Sequence, residues 1–531
     1  MAVEPSSEFS AAEARVLGRY FTNLDRPVFA LRNLPEVVKG ALFSRYSRTE
    51  KSLRRVLLDE FINEPDSGFD GLATGPGDAD DMVAVRRAEE FYERVLVGYG
   101  DDSVAELAGA HVAVERTSTL AAKALEDSRI GISPLEKSTR YVRFDRPGSD
   151  GRFLYYRGSE LAHPDYEPAA DALFQTYSAL IEPLTGAIRE RFPIEPGETD
   201  RAWKSATRAK ALDMLRGLLP GGTLTNLGLF GNGRAFEYLI TKLAAHELPE
   251  CRTLAGDLHR ELALVIPAFV KRALDERFGV PSAERLKRVR EATAKLAPRT
   301  GARGDGPSVR LIEHDPEAER KVVAAALFPH SDAPWEDLQA DPGQVLEALL
   351  ADRANRRQRP ARALEHAQYT FEIVANFAAY RDLHRHRMLT QDRQLLGTSL
   401  GFDIPPGLAE LGMDERFVKA IDGATAAHTR LEQELGPALA QYVVPLAYRL
   451  RWYFRVNLRE IYHLCELRTT PQGHPDYRWV AQEMFRLVSQ VHPRLAAYAR
   501  FVDMGRGDEL ERRSSERRLD EKLSALDRRV L

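Results

Sequence analysis

Three short stretches concentrate side chains able to hold and polarise a charged ligand. The first is GISPLEKSTRY (131–141), in which Glu136, Ser138 and Arg140 alternate. Alternate side chains of an extended loop point the same way, so a carboxylate, a hydroxyl and a guanidinium would converge on one side. That set suits a ligand with hydroxyl, imide and phosphate groups. The second is HRHR (384–387), which packs up to four cations into one helical turn. Adjacent like charges repel, an anion relieves them, and Arg suits phosphate through its forked donors. His386 could add a hydrogen bond to a diphosphate or a flavin-like ring. The third runs from Pro445 to Arg468. Read as one helix, it puts Asn457 and Arg468 on one face about three turns and roughly 16 Å apart, with His463 rotated off that line. An extended nucleotide-like ligand fits such a span. On pattern alone, each stretch also fits ordinary surface: a hairpin, a solvated basic face, a polar stripe.

Other chemistries find less support. No Gly-x-Gly-x-x-Gly follows a strand and no Walker A sequence occurs; GLFGNG (228–233) lacks the preceding strand. No Ser/His/Asp order or cysteine nucleophile context stands out. Cys251 and Cys465 are too few for a disulfide framework, and no Cys/His spacing suggests zinc, so no metal is expected. The formal charge of −4 argues against a general nucleic-acid binder.

The elements that must position these residues belong to a long chain. Its 531 residues favour two to four domains, and 44% hydrophobic with 29% charged residues is ordinary for a globular protein. The opening MAVEPSSEFSAAEARVL is acidic and lacks the features of a secretory signal. The longest clean apolar runs, such as LALVIPAFV (262–270), are about half of a membrane span. A soluble cytoplasmic protein is expected. Helical periodicity dominates, as in FRVNLREIYHLCELR, with strands at YVRF, FLYY and HAQYTFEIV. LAPRTGARGDGPSVRL (296–311) reads as a linker, FINEPDSGFDGLATGPGDADDM (61–82) as an inserted loop, and the charged C-terminal tail as a solvated helix.

The chain is written twice. ALF recurs at 41–43 and 326–328, and a glutamate opens AELAGAHVAVERTS (Glu106) and LEHAQYTFEIVANF (Glu365). A proline precedes an Asn-x-Arg by twelve residues both times: Pro220 to Asn232 and Arg234, then Pro445 to Asn457 and Arg459. A unit this long implies two whole domains, not a solenoid. The expected division is 1–295, a linker 296–310, 311–505, and a charged tail 506–531. The glycines at 221, 222, 228, 231 and 233 put the second long helix of the first copy in doubt.

These pieces together resemble the flavin-dependent thymidylate synthases. The second copy does so in LEHAQYTFEIV, RHR, NLREIYHLCELR and RWVAQEMF, with twenty residues from Glu365 to Arg385; the first does so in GDDSVAEL, SPLEKSTRY and RGLLPGGT. The resemblance implies a helix-rich α/β (α+β) fold with long helices and a small sheet in each of two pseudo-twofold-related domains. It implies FAD, reduced by NADPH, with methylenetetrahydrofolate as carbon donor and dUMP methylated to dTMP without an enzymic cysteine. Arg385, His386 and Arg387 match the flavin-binding triplet; Asn457, Arg459 and His463 match further flavin contacts, and Ser103 and Glu106 flavin-side contacts. Glu136, Ser138 and Arg140 match the loop that holds deoxyuridylate. Arg468 matches the arginine that holds the pyrimidine and stabilises its ionised imide, an oxyanion-hole role; it and Ser138 are the expected catalytic residues.

The two copies have lost opposite parts. The second has RHR, but Arg393, Leu395, Gly397 and Thr398 replace the loop residues. The first keeps the loop, but its triplet has become EDSR (126–129), and Leu243, beside Lys242, stands where Arg468 would be. Since family sites lie between subunits of a homotetramer, one composite site built from both halves is expected, in a homodimer equivalent to that tetramer. Some positions depart from the family. Gln441 replaces an arginine that Arg216 keeps in the first copy, Thr390 replaces a serine, and Asp382 stands where a glutamine usually contacts the nucleotide. A carboxylate at 382 would repel a phosphate. C5 methylation of another pyrimidine nucleotide, or a non-catalytic flavin- or nucleotide-binding role, remain the alternatives.

Overall fold

The computed structural model describes residues 9–25, 29–34, 36–46, 51–63, 106–128, 130–298, 306–507 and 509–530. Ser103 and nearly all of the expected insertion therefore lie outside the described residues. Helices dominate, with two small antiparallel sheets. The first sheet contains β1 (Gly109–Ser118), β2 (Ile132–Glu136) and β3 (Leu224–Asn232) in the order β1-β3-β2. The second contains β4 (Ser308–His314), β5 (Gln368–Asn376), β6 (Leu389–Arg393) and β7 (Arg449–Asn457) in the order β4-β5-β7-β6. No helix among the described residues is long and apolar enough to cross a membrane.

Contacts divide the chain into two compact units. One comprises Met1–Glu115, Ala124–Glu136 and Leu227–Pro298; the other comprises Arg116–Lys123, Lys137–Asn226 and Arg299–Leu531. The second unit thus takes in a large part of the first copy along with the whole of the second. Its principal helices are α1 (Tyr166–Arg191), α2 (Asp200–Leu215), α3 (Phe377–Leu383), α4 (Asp414–Leu435), α5 (Leu458–Arg468), α6 (Pro475–Val491) and α7 (Arg513–Val530).

The duplication is literal in the hydrogen bonds. Ser118 Oγ accepts the Ala121 N–H at 3.0 Å and Asn376 Oδ1 accepts the Ala379 N–H at 2.8 Å, so the helices that leave β1 and β5 are capped alike. Asn232 and Asn457 do the same after β3 and β7, at 2.8 and 2.9 Å. Within the second unit, Pro220 and Pro445 form an antiparallel bridge. Around it Gly221 N–H donates to Val444 O, Gly222 to Tyr442 O, Leu446 to Leu219 O and Ala447 to Gly217 O, all at 2.8–2.9 Å. The glycines matter here because a Cβ on Gly221 would meet Gln441 O at 2.7 Å, and one on Gly222 would meet Tyr166 Oη at 2.7 Å.

Several sequence expectations are corrected. Pro445–Arg468 is not one helix: β7 comes first, then α5. In RLRWYFRVN, Leu450, Trp452, Phe454 and Val456 are buried and the residues between them are not, a period of two that defines a strand. The same holds for the first copy, where Gly221 and Gly222 precede β3, Gly228 and Gly231 lie in it, and the doubted helix forms as Gly233–Ala244. HAQYTFEIV largely becomes β5, but YVRF forms no strand and FLYY contributes only a bridge from Tyr155 to Thr223. HRHR is not a helical turn; His384 ends α3 and the rest is turn and loop. The tail is not simply solvated. Lys210 meets Glu511 at 2.6 Å, Arg513 meets Glu195 and Glu198 at 2.7 and 3.1 Å, and Arg201 pairs with Asp520, while Leu510 is 4% exposed.

Gly221→Ala forces a methyl group onto a backbone carbonyl at this junction. It should destabilise the protein by roughly 1–3 kcal/mol, read as a lowered midpoint of thermal or urea unfolding, whereas Gly228→Ala, where the added Cβ meets nothing within 4 Å, should shift it far less.

Candidate functional site

The first copy delivers its residues on a loop and on the end of α2. Ser138 follows β2 and starts a turn: its carbonyl accepts the Tyr141 and Val142 N–H groups at 3.4 and 3.1 Å, and its Oγ accepts the Arg140 N–H at 3.3 Å. The alternation expected of an extended loop therefore ends at Glu136, which is buried at the last position of β2. Arg140 turns to Asp213 on α2, with Nε 2.8–2.9 Å from both carboxylate oxygens and Nη2 2.6 Å from Oδ2. The two hydrogen bonds from Nε and the close ion pair at Nη2 hold this guanidinium in place. Burial opposes ionisation of Asp213, but the guanidinium groups of Arg140 and Arg216 more than offset it and hold the carboxyl below its usual range.

Arg216 follows directly after α2, in the tight turn Arg216–Leu218. It is 4% exposed, donates from Nη1 to Asp382 Oδ2 at 3.1 Å, and leaves Nε and Nη2 buried without a partner. Unmet buried donors are costly, and on an arginine they suit an anion. Asp382 lies on α3 of the second copy. Burial would raise its pKa, yet Arg216, Arg385, Arg468 and Arg140 together hold it far below the usual carboxylate range. One guanidinium thus touches this carboxylate and three more, from both copies, act on it through their charge.

Arg468 is the last residue of α5. Its Nε donates to His386 Nε2 at 3.0 Å and its guanidinium carbon stands 5.5 Å from the Tyr477 ring centre. His386 is 4% exposed, and its Nδ1 lies 2.7 Å from Glu460 Oε1. Because Nε2 accepts from Arg468, the ring proton is assigned to Nδ1, donating to Glu460. Burial, then Arg468 and His463, hold the His386 pKa well below 6.5, so this imidazole is neutral. His386, Glu460 and His463 bring ligand atoms within 4.8 Å of one another, a spacing open to a cation that the sequence did not suggest. Both His386 nitrogens are already engaged there, and Arg468 lies alongside. α5 itself is anchored by a buried fork between Arg353 and Glu466, at 2.9 and 2.7 Å.

Of the residues singled out in the sequence, Arg140, Arg385 and Arg468 act together on Asp382, and His386 joins them through Arg468, with exposed His463 5.5 Å from the His386 ring; Ser138 is tied to them only through the turn that carries Arg140. Arg140 and Arg468 both act on Asp382 and on Tyr477. Arg387 is exposed beside the triplet histidine. Arg459 is held by Pro360 O and Glu365, both at 2.9 Å, and Asn457 caps α5. The matching pair recurs in the first copy, where Arg234 meets Glu106 at 2.9 Å. Asp213, His474 and Tyr477 escaped sequence reading; the only signal was Asp213 three residues before Arg216, a spacing at which side chains meet in a helix. In the second copy's own loop, Leu396 N–H donates to Gln441 Oε1 at 2.9 Å and Arg393 to Tyr380 Oη at 3.0 Å. A cavity of about 490 Å³, walled in part by Asp213, Met214, Arg216, Ile404 and His474, adjoins the cluster.

Comparison with known proteins places this geometry in a family. The profile described as thymidylate synthase complementing protein matches residues 63–268 and again 310–494. The chain belongs to that family, as a tandem duplication. It is 43% identical over 527 residues to a UPF0159 protein of Chlamydia muridarum, covering 94% of this chain and 97% of that one. It is 34% identical over 503 residues to a UPF0159 protein of Thermoplasma acidophilum, covering 88% and 95%. A flavin-dependent thymidylate synthase of Geobacter sulfurreducens is 28% identical over 208 residues, covering 38% of this chain and 87% of that one.

Burial keeps His386, His474, His428 and His492 below the usual histidine range. The unfolded chain therefore binds more protons than the folded one once the pH drops below about 6.5, and stability falls with it. Glu460, whose pKa burial raises, opposes this only as its own carboxyl takes up a proton. Urea unfolding at pH 7.5 and 5.5 should show the lower free energy at pH 5.5; a flat or rising profile would contradict neutral imidazoles at these sites.

Proposed function

We propose that the chain is a flavin-dependent enzyme that methylates dUMP to dTMP with methylenetetrahydrofolate and NADPH, in one composite site made by both copies. The observation that carries this reading is the cluster itself. Ser138, Arg140 and Arg216 from the first copy and Asp382, Arg385, His386 and Arg468 from the second are grouped by their shared electrostatic and hydrogen-bonded partners. In this reading Arg468 holds the pyrimidine and stabilises its ionised imide, while Ser138, Arg140 and Arg216 serve the sugar-phosphate side, where Arg216 has two unmet donors. Glu136 ends the strand that leads into that loop.

The second copy's donor set fits a flavin nucleotide. Arg385 and Arg387 stand exposed on either side of buried His386, and His463 is exposed beside it; cations of this kind suit a diphosphate. Bound there, the flavin would supply the hydride that completes the methyl group. Asn457 and Arg459 set the start of the helix that carries His463 and Arg468, and Glu106 plays in the first copy the part that Glu365 plays in the second. Two chains would reproduce the four copies of the family assembly. A second reading, methylation of another pyrimidine nucleotide, draws on Asp382, which changes the charge of the cluster.

Tritium release from 5-labelled deoxyuridylate, given NADPH and methylenetetrahydrofolate, tests the proposal, with labelled UMP as the competing substrate. Arg468→Ala and Ser138→Ala should each lower release at least about 100-fold, the scale of losing a donor to a developing oxyanion. Leu395→Ala should stay within about twofold of the parent. If both key substitutions are tolerated, the composite site is wrong.

A further inference from the structure

The carboxylate on which these arginines act is part of the chain, and that has a consequence for which anions the site accepts. We infer that Asp382 is a specificity-determining residue: as a fixed anion inside the arginine cluster it removes one unit of positive charge from what the site offers, so that a nucleoside monophosphate is preferred to the corresponding diphosphate. The inference rests on the reading that a pyrimidine nucleotide binds here.

Four observations support it. First, Asp382 and Arg216 are paired directly at 3.1 Å, with side chains only 19% and 5% exposed, so solvent screens the pair weakly. Second, the same carboxylate lies in the fields of Arg385, Arg468 and Arg140, which keep it ionised throughout the neutral range. Third, the neighbouring side chains do not restore the charge it removes. Arg140 is already paired with Asp213, and His386 and His474 are held neutral by burial. Fourth, Nε and Nη2 of Arg216 are unmet, so a phosphate can be taken on the same guanidinium that Asp382 holds by Nη1. Two anions on one guanidinium repel each other, and the repulsion grows with each further charge on the ligand.

Competition binding of dUMP and dUDP to the parent, Asp382→Asn and Asp382→Glu decides the matter. The parent should bind dUMP at least as tightly as dUDP. Asp382→Asn should shift the ratio of the two affinities toward dUDP by about tenfold or more, and Asp382→Glu, which keeps the charge, should leave it near the parent value. A merely structural role would weaken both ligands alike. A parent that prefers dUDP overturns the inference without any variant, and so does a folded Asp382→Asn protein, checked by thermal unfolding, with the parental ratio. Failure of the parent to bind either nucleotide overturns the function proposed above as well. Turnover of dUMP with an unresponsive ratio overturns this inference alone.

Discussion

Everything in the composite cluster depends on a short exchange of backbone hydrogen bonds at Pro220 and Pro445. The four N–H groups that follow the two prolines, two after each, find carbonyls on the opposite segment, in a region where every residue is buried and water could not replace them. The exchange requires the backbones to approach to within reach of a missing Cβ, which Gly221 and Gly222 allow. It also fixes what stands beside it. Arg216 lies four residues before Pro220 and Gln441 four residues before Pro445, so the junction sets equivalent positions of the two copies in equivalent surroundings. Only one of them carries an arginine.

That asymmetry has a physical logic. A buried arginine is tolerable only with partners, and a position that no longer meets an anion is better served by a neutral residue. Gln441 can satisfy local backbone instead, and it does: its Oε1 takes the Leu396 N–H, and its amide donates to Ala438 O. Thr398, the side chain in place of the loop tyrosine, reaches His428. Arg216 keeps its charge, and keeps donors unmet, in the copy whose loop still carries Ser138 and Arg140. Neighbouring positions agree within each copy, which favours one site kept and one closed over two sites decaying independently.

The legible parts of this chain were those whose chemistry is local. HRHR, SPLEKSTRY and the proline-to-asparagine spacing are short enough to read directly, and the paired Arg–Glu contacts of the two copies sit on the landmarks that revealed the repeat. What escaped is set by other considerations. In Arg449–Asn457 apolar residues alternate for only nine residues before α5 begins, and the following helix made the whole run look helical. Asp213, His474 and Tyr477 are ordinary residues in sequence; their importance comes from which buried cations they meet. The tail shows the same limit from the other side, because a run of mixed charges looks alike whether it faces water or, as at Arg513 and Glu511, the opposite charges of another segment.

The chain from Arg468 to Glu460 shows how little freedom the site retains. Arg468 donates Nε to His386, which obliges that ring to carry its proton on Nδ1 and pass it as a donor to Glu460. Protonating His386 would remove the acceptor and set a cation against the guanidinium, and burial with Arg468 opposes this. Reversing the tautomer would place a lone pair against Glu460. With Nε committed and Tyr477 alongside as a further hydrogen-bond partner, Arg468 can present only its remaining terminal donors. A guanidinium fixed at one edge in this way discriminates by direction as well as by charge. It can serve a planar imide edge brought to a set place, and it is poorly suited to gather ions indiscriminately.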